Sequence, residues 1–411
     1  MDGNNYYQQQ NQNNYYQNLY NMFGGYNPLI DGQARSVRRL GLLAGTAMIL
    51  YIIAQKLFVI ALYYTKLIKL YQADSVYTDS INIFAQVIYI FIPFFVIYLI
   101  YKPKEKAKVL AFEKPSNPQL AVYAIFAGMG VCVIANFAAD ALSTIFTAGG
   151  IEFLSGTEDT PTPKNAVGVF MMILSNAVAA PMFEEFALRG IIMQPLRKHG
   201  DKFAIVASAL IFAVLHGNMV QAPFAFIAGL GLGYFCIVTN SLWVSMAIHC
   251  LNNLSATLFS LYMEKNPDAG GFAYFLSESV FLVIGIVAYL LFRKHNTAKL
   301  KKSRDELSGK LRMALYFCAP TVVIGLINAL YSTFSLQTTT KAFGMLMSIA
   351  ILVVICVFLL KGIGLIKMDT RLTQDRTYSV SKAFTIIMLV FGTVFIIVTA
   401  GASMLTGMAG N

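Results

Sequence analysis

Charge is scarce in this chain: only 12% of its 411 residues are Asp, Glu, Lys or Arg, about half of the ~25% usual in a soluble domain. With 57% hydrophobic residues and a mean hydropathy of +0.62, water is excluded as the principal solvent. Cysteine is also sparse. The five thiols (Cys132, Cys236, Cys250, Cys318, Cys356) all lie in apolar stretches with no CxxC spacing, which excludes a disulfide framework and a thiolate zinc site. There are four histidines and no HExxH, so that zinc-protease signature is excluded. The first thirty residues lack both a basic n-region and an apolar run, and no cleavable signal peptide is expected. Repeats are lacking too. No inverted repeat relates the two halves, as many transporter folds would require.

What is present is a succession of apolar runs. A spanning helix needs roughly 20 apolar residues, and eleven candidate segments lie near residues 40–64, 81–101, 119–146, 166–193, 203–217, 222–239, 241–262, 272–292, 313–334, 342–366 and 383–407. The expected fold is all-α, a polytopic transmembrane helical bundle of about eleven helices. Four regions are expected: an Asn/Gln/Tyr-rich disordered tail over 1–34, a transmembrane core over 35–292, a basic linker over 293–312 and an accessory three-helix segment over 313–411. The tail reading rests on 19 Asn, Gln or Tyr among the first 30 residues, too few aliphatic side chains to bury a core.

The net charge of +11 is explained by where the cations sit rather than by nucleic acid, which is not an expected partner. With the N-terminus inside, the inner stretches carry 24 of the 31 Lys and Arg and the outer stretches five. This asymmetry predicts a multi-pass protein of the cell membrane with a cytoplasmic N-terminus and an outer C-terminus. The linker from Arg293 to Arg312 reads as a solvated loop near anionic headgroups.

Against this background, charges inside an apolar segment stand out, because each costs roughly 2.5–3.5 kcal/mol at mid-bilayer on insertion scales. Three occur together in Pro181-Met-Phe-Glu184-Glu185-Phe-Ala-Leu-Arg189. Glu185 and Arg189 are four apart on one helical face and suit an ion pair; Glu184 points about 100° away without a local cation. Pro181 frees the carbonyl four residues earlier and loosens the helix before the carboxylates. In a hairpin centred on Gly200, Glu184 lies 16 residues before the turn and His216 16 after it, so both reach roughly 24 Å in depth and can share one water. His249 and Asn253, one turn apart on a third helix, rise about 12 and 18 Å from its start near Ser241 and offer two neutral donors. His199 and His295 lie in basic loops and read as solvated. Asn252 points off the His249 face and reads as an interhelical hydrogen-bond residue. Gly229 and Gly233 form a GxxxG that suits close helix contact.

The order EExxxR, FxxxH and HxxxN on three separate apolar helices resembles the CPBP family, the Ras-converting CAAX prenyl endopeptidases and their bacterial relatives. Glu184, Glu185 and Arg189 carry the first motif, Phe212 and His216 the second, His249 and Asn253 the third, all within residues 166–260. The resemblance implies an eight-helix core and an intramembrane glutamic endopeptidase. In it Glu184 and His216 activate water, His249 and Asn253 form the oxyanion hole, and Arg189 orders the carboxylate pair. It implies no cofactor; zinc held by a glutamate and the two histidines is the lesser alternative. The implied partner is a membrane-associated or CAAX-type lipidated peptide or protein. Two other readings stay open: a non-catalytic membrane immunity or scaffold protein that keeps the charges as a clasp, and a transporter that uses them as an ion path.

Overall fold

The computed structural model describes residues 27–102, 113–115, 117–148, 161–218, 221–335, 341–369 and 372. The segment expected at 383–407 and residues 1–26 of the tail lie outside these. All regular structure among the described residues is helical. In chain order the helices are α1 (Pro28–Tyr64), α2 (Ile68–Ala73), α3 (Ser75–Ile100), α4 (Pro118–Ala148), α5 (Ala166–His199), α6 (Asp201–Leu215), α7 (Gln221–Thr239), α8 (Leu242–Lys265), α9 (Pro267–His295), α10 (Gly309–Phe317), α11 (Pro320–Ser335) and α12 (Lys341–Met368). Asn27 caps α1 by accepting from the amides of Leu29 and Ile30, and Pro28 supplies its first turn. The first turns of α1 therefore come from residues 28–34, which composition had grouped with the tail.

Six of these helices (α1, α3, α4, α5, α7 and α9) are long and apolar enough to cross a membrane, and a seventh span results if the 70° bent pair α10 and α11 is counted as one. Hydropathy alone suggested about eleven over the whole chain. For two of the segments the difference has a physical source. Helix α6 has 15 residues, short of the ~20 that a full span needs, and α8 carries His249, Asn252 and Asn253 in its middle.

Lipid is as apolar as a leucine side chain, so helix association depends on close approach rather than on the hydrophobic effect. Small residues set that approach. A Cβ on Gly130 of α4 would lie 2.8 Å from the Cα of Gly285 of α9, and a Cβ on Gly45 of α1 would lie 2.1 Å from the amide nitrogen of Val322 on α11. Gly41 meets the carbonyl oxygen of Tyr316 on α10 in the same way, at 2.6 Å. The chain after the linker is thus seated directly on α1. On α7, a Cβ at Gly229 would come within 3.2 Å of both Ala209 and Arg189, so the GxxxG sets the contact of α7 with α6 and with the buried arginine of α5.

The α5–α6 hairpin turns at Gly200, whose φ of +109° lies where glycine is favoured. Lys198 and Lys202 beside it are exposed, as a basic loop suggests, but His199 is not solvated. His199 is 3% exposed; its Nδ1 meets Asp305 at 2.5 Å and its Nε2 meets Ser36 at 3.1 Å. Asp201 is bonded to the linker twice, its amide donating to the Lys301 carbonyl at 3.0 Å and its carboxylate accepting from the Lys301 amide at 2.8 Å. Arg197 donates to the same carboxylate at 2.9 Å, and the Glu306 amide donates to Gln33 of α1 at 3.1 Å. Residues 301–308 are a strap over the turn. The turn lacks intrahelical partners for its own polar groups, and the linker's backbone supplies them. His295 is exposed, as expected.

Candidate active site

Helix α5 is not uniformly α-helical. Its turns are π-wound over Leu174–Ala179 and again over Phe186–Ile192, with Glu184 and Glu185 in the short α-helical stretch between them. π-turns recur at functional sites, and the cause of the first is legible in its bonds. The Ala180 amide donates to the carbonyl of Ser175, five residues back. The next amide in that register would reach Asn176, but the next residue is Pro181, which has none. Asn253 of α8 supplies the missing donor, its side-chain amide meeting the Asn176 carbonyl at 3.0 Å. The freed carbonyl is thus five residues before the proline and not four, because the helix is already wound to the wider register.

Glu185 and Arg189 are each 0% exposed, and their ion pair spans 2.7 Å. The i, i+4 spacing had predicted this pair. The guanidinium also donates to the Gly229 carbonyl at 3.4 Å and lies 4.4 Å from the centroid of the Phe212 ring, a cation–π contact that helps an arginine remain out of water. Phe212 further packs edge-on against His216, centroids 4.6 Å apart, and against His249 at 5.7 Å. One ring thus orients three of the polar groups.

His249 lies between the two glutamates. Its Nδ1 meets Glu185 Oε1 at 3.0 Å, and its Nε2 is 3.8 Å from Glu184 Oε2. A carboxylate only accepts, so the contact with Glu185 places a hydrogen on Nδ1. In the neutral ring, Nε2 is then an acceptor that faces Glu184. The hydrogen that sequence reasoning reserved for a substrate is held by Glu185. His216 follows the same logic: its Nδ1 lies 2.9 Å from the Phe212 carbonyl and carries the hydrogen, which leaves Nε2 with a lone pair. Asn252 donates to its own neighbour Asn253 at 3.3 Å. The crossing between helices, assigned beforehand to Asn252, is made by Asn253.

The Glu184 side chain is 24% exposed. A cavity of about 180 Å³ accounts for this; it is lined by Glu184 and His216 together with Tyr51, Ile90, Phe94, Leu188, Phe212, Leu215 and Gln221. The volume suffices for several water molecules at ~30 Å³ apiece. The acid and the imidazole, placed at equal depth by counting from the turn, share this one space. His249 and Asn253 are absent from its lining. Among the described residues, no three His, Cys, Asp or Glu side chains are gathered closely enough to hold a metal ion. Tyr51, Gln221 and Asn176 escaped sequence reasoning. Tyr51 is 133 residues before Glu184 and has no local motif to mark it.

A partly exposed acid, an imidazole with a free lone pair and a cavity able to hold water between membrane helices suit hydrolysis. Residues 166–255 match the type II CAAX prenyl endopeptidase Rce1-like family. The Rce1-like segment runs from the start of α5 to the middle of α8 and contains all seven residues singled out in the sequence. The matched segment is thus similar to an endopeptidase family, and six or seven candidate spans make the chain a multi-pass membrane protein. Tyr51 and the strap lie outside the Rce1-like segment. No curated protein and no solved structure matches the chain.

Proposed function

We propose that this chain is an intramembrane glutamic endopeptidase that hydrolyses a peptide bond in a membrane-associated, CAAX-type or otherwise lipidated substrate. The observation that carries the reading is the shared cavity: Glu184 and His216 line the same space, and the hydrogen bond of His216 to Phe212 leaves its Nε2 lone pair to accept a hydrogen bond from the water.

In this reading a water held by Glu184 and His216 attacks the scissile carbonyl carbon as one of its protons passes to the Glu184 carboxylate. The C=O π electrons move to oxygen, giving a tetrahedral oxyanion. Collapse restores the carbonyl, breaks the C–N bond and delivers the held proton to the departing amine. Arg189 holds Glu185, Glu185 holds His249, and His249 faces Glu184, so the buried ion pair orients the acid. His249 and Asn253, which the family resemblance implies as oxyanion donors, here hold Glu185 and the Asn176 carbonyl and stand outside the cavity lining, so their part is to position α5 and its carboxylates. The N-terminus and the strap lie on the cytoplasmic side, and no metal takes part.

The test is cleavage of a lipidated peptide library by the protein purified in detergent, with and without a chelator. Native protein should cleave in chelator, and Glu184→Gln should lower the rate by about 10³-fold or more with unchanged expression. Cleavage that persists in Glu184→Gln would leave a scaffold reading in its place, and cleavage abolished by chelator would restore zinc.

A further inference from the structure

The cavity needs a hydrogen-bond donor for the oxyanion, and the two expected donors stand away from it. His249 gives its neutral-ring hydrogen to Glu185, Asn253 donates to Asn176, and neither lines the cavity. Besides Glu184 and His216, the wall holds two polar side chains, Tyr51 and Gln221. Tyr51 comes from α1, outside the Rce1-like segment. Its hydroxyl lies 3.5 Å from the carbonyl of Leu215, the residue that precedes His216 and itself lines the cavity. That is well beyond the ~2.7–2.8 Å of a committed O–H···O bond. The hydrogen is therefore free to turn to a stronger acceptor. The ring is held independently: it packs edge-on against Tyr89 of α3 at 5.6 Å and 87°.

Resting on the proposed hydrolysis, we infer that Tyr51 is a catalytic residue whose phenolic hydroxyl donates to the oxyanion that forms on the scissile carbonyl. An anionic oxygen is a better acceptor than the Leu215 carbonyl, so the bond strengthens as charge develops. The stabilisation then falls on the transition state rather than on the bound substrate. The hydroxyl gives no proton away; it returns to Leu215 when the C–N bond has broken.

The experiment measures kcat and KM for peptide cleavage by native protein, Tyr51→Phe and Glu184→Gln in detergent, and the Kd of each for a reduced-amide analogue of the same peptide. Tyr51→Phe keeps the ring on Tyr89 and removes only the hydroxyl. It should lower kcat by about 10²-fold, with KM and the analogue Kd within about threefold, while Glu184→Gln abolishes turnover. Full kcat in Tyr51→Phe beside a dead Glu184→Gln overturns the role of Tyr51 and leaves the hydrolase reading standing. A raised KM or a lost analogue Kd in Tyr51→Phe also overturns it, because the hydroxyl then acts in binding or folding. An active Glu184→Gln, or no cleavage by native protein, overturns both.

Discussion

The α5–α6 hairpin carries a polar cluster at each end, and the two differ in what their atoms have left to do. At the turn, both ring nitrogens of His199 are engaged, by Asp305 and Ser36, and Asp201 is bonded to Arg197 and to the Lys301 backbone. At the deep end, His216 has one nitrogen on the Phe212 carbonyl and the other facing a cavity, and Glu184 is partly exposed to the same space. Both histidines are largely enclosed by protein and both occur beside charged residues. Spare hydrogen-bonding capacity next to an open volume separates a reactive imidazole from a structural one, and burial alone does not.

The contrast can be broken at its reactive end first. His216→Ala should lower kcat for peptide cleavage by about 10²–10⁴-fold while the melting temperature in detergent stays near the native value; an unchanged kcat would erase the distinction between the two ends. Between them stands the ion pair. Arg189→Met leaves the Glu185 carboxylate buried without its cation, a loss of about 3–5 kcal/mol, read as a large fall in melting temperature or as failure to elute monodisperse. The added substitution Glu185→Gln should recover much of that stability but not the activity, since His249 would lose its ionised partner. The smallest effect is expected at the turn. His199→Ala removes the side chain at the turn that the strap residue Asp305 bonds, and should lower stability by about 1–3 kcal/mol while kcat stays within about threefold. A hundredfold loss of kcat there would show that the two clusters act as one.

Much of this was legible from spacing alone. Glu185 and Arg189 are one helical turn apart, and that fixes a neighbour relation in any α-like winding. Glu184 and His216 are equidistant from Gly200, and an antiparallel hairpin converts equal count into equal depth. What spacing could not convey is commitment. His249 was expected as a free donor, yet which nitrogen keeps its hydrogen depends on Glu185 being 3.0 Å away. The π-winding before Pro181 was also hidden, because it depends on Asn253 arriving from another helix to satisfy Asn176. His199 was misjudged for a related reason: a run of Arg, Lys, His and Asp reads as solvated until a remote stretch of backbone covers it. Tyr51 carried no signal, since only the packing of α1 against the hairpin gives it a role.

The glycine stripe of α1 has one more implication. Gly41, Gly45 and Met48 meet α10 and α11 on one face of α1, and Tyr51 lies about one turn farther along the helix, turned toward Tyr89 and Leu215. With backbone in place of side chains at the contact, α1 has almost no latitude to slide, and the position of its phenol is dictated by helices that contain none of the motif residues. Anyone seeking to trim this protein to a minimal hydrolase around residues 166–255 would discard the ruler along with the wood: the reactive groups would survive, but the wall that completes their chamber would have lost its datum.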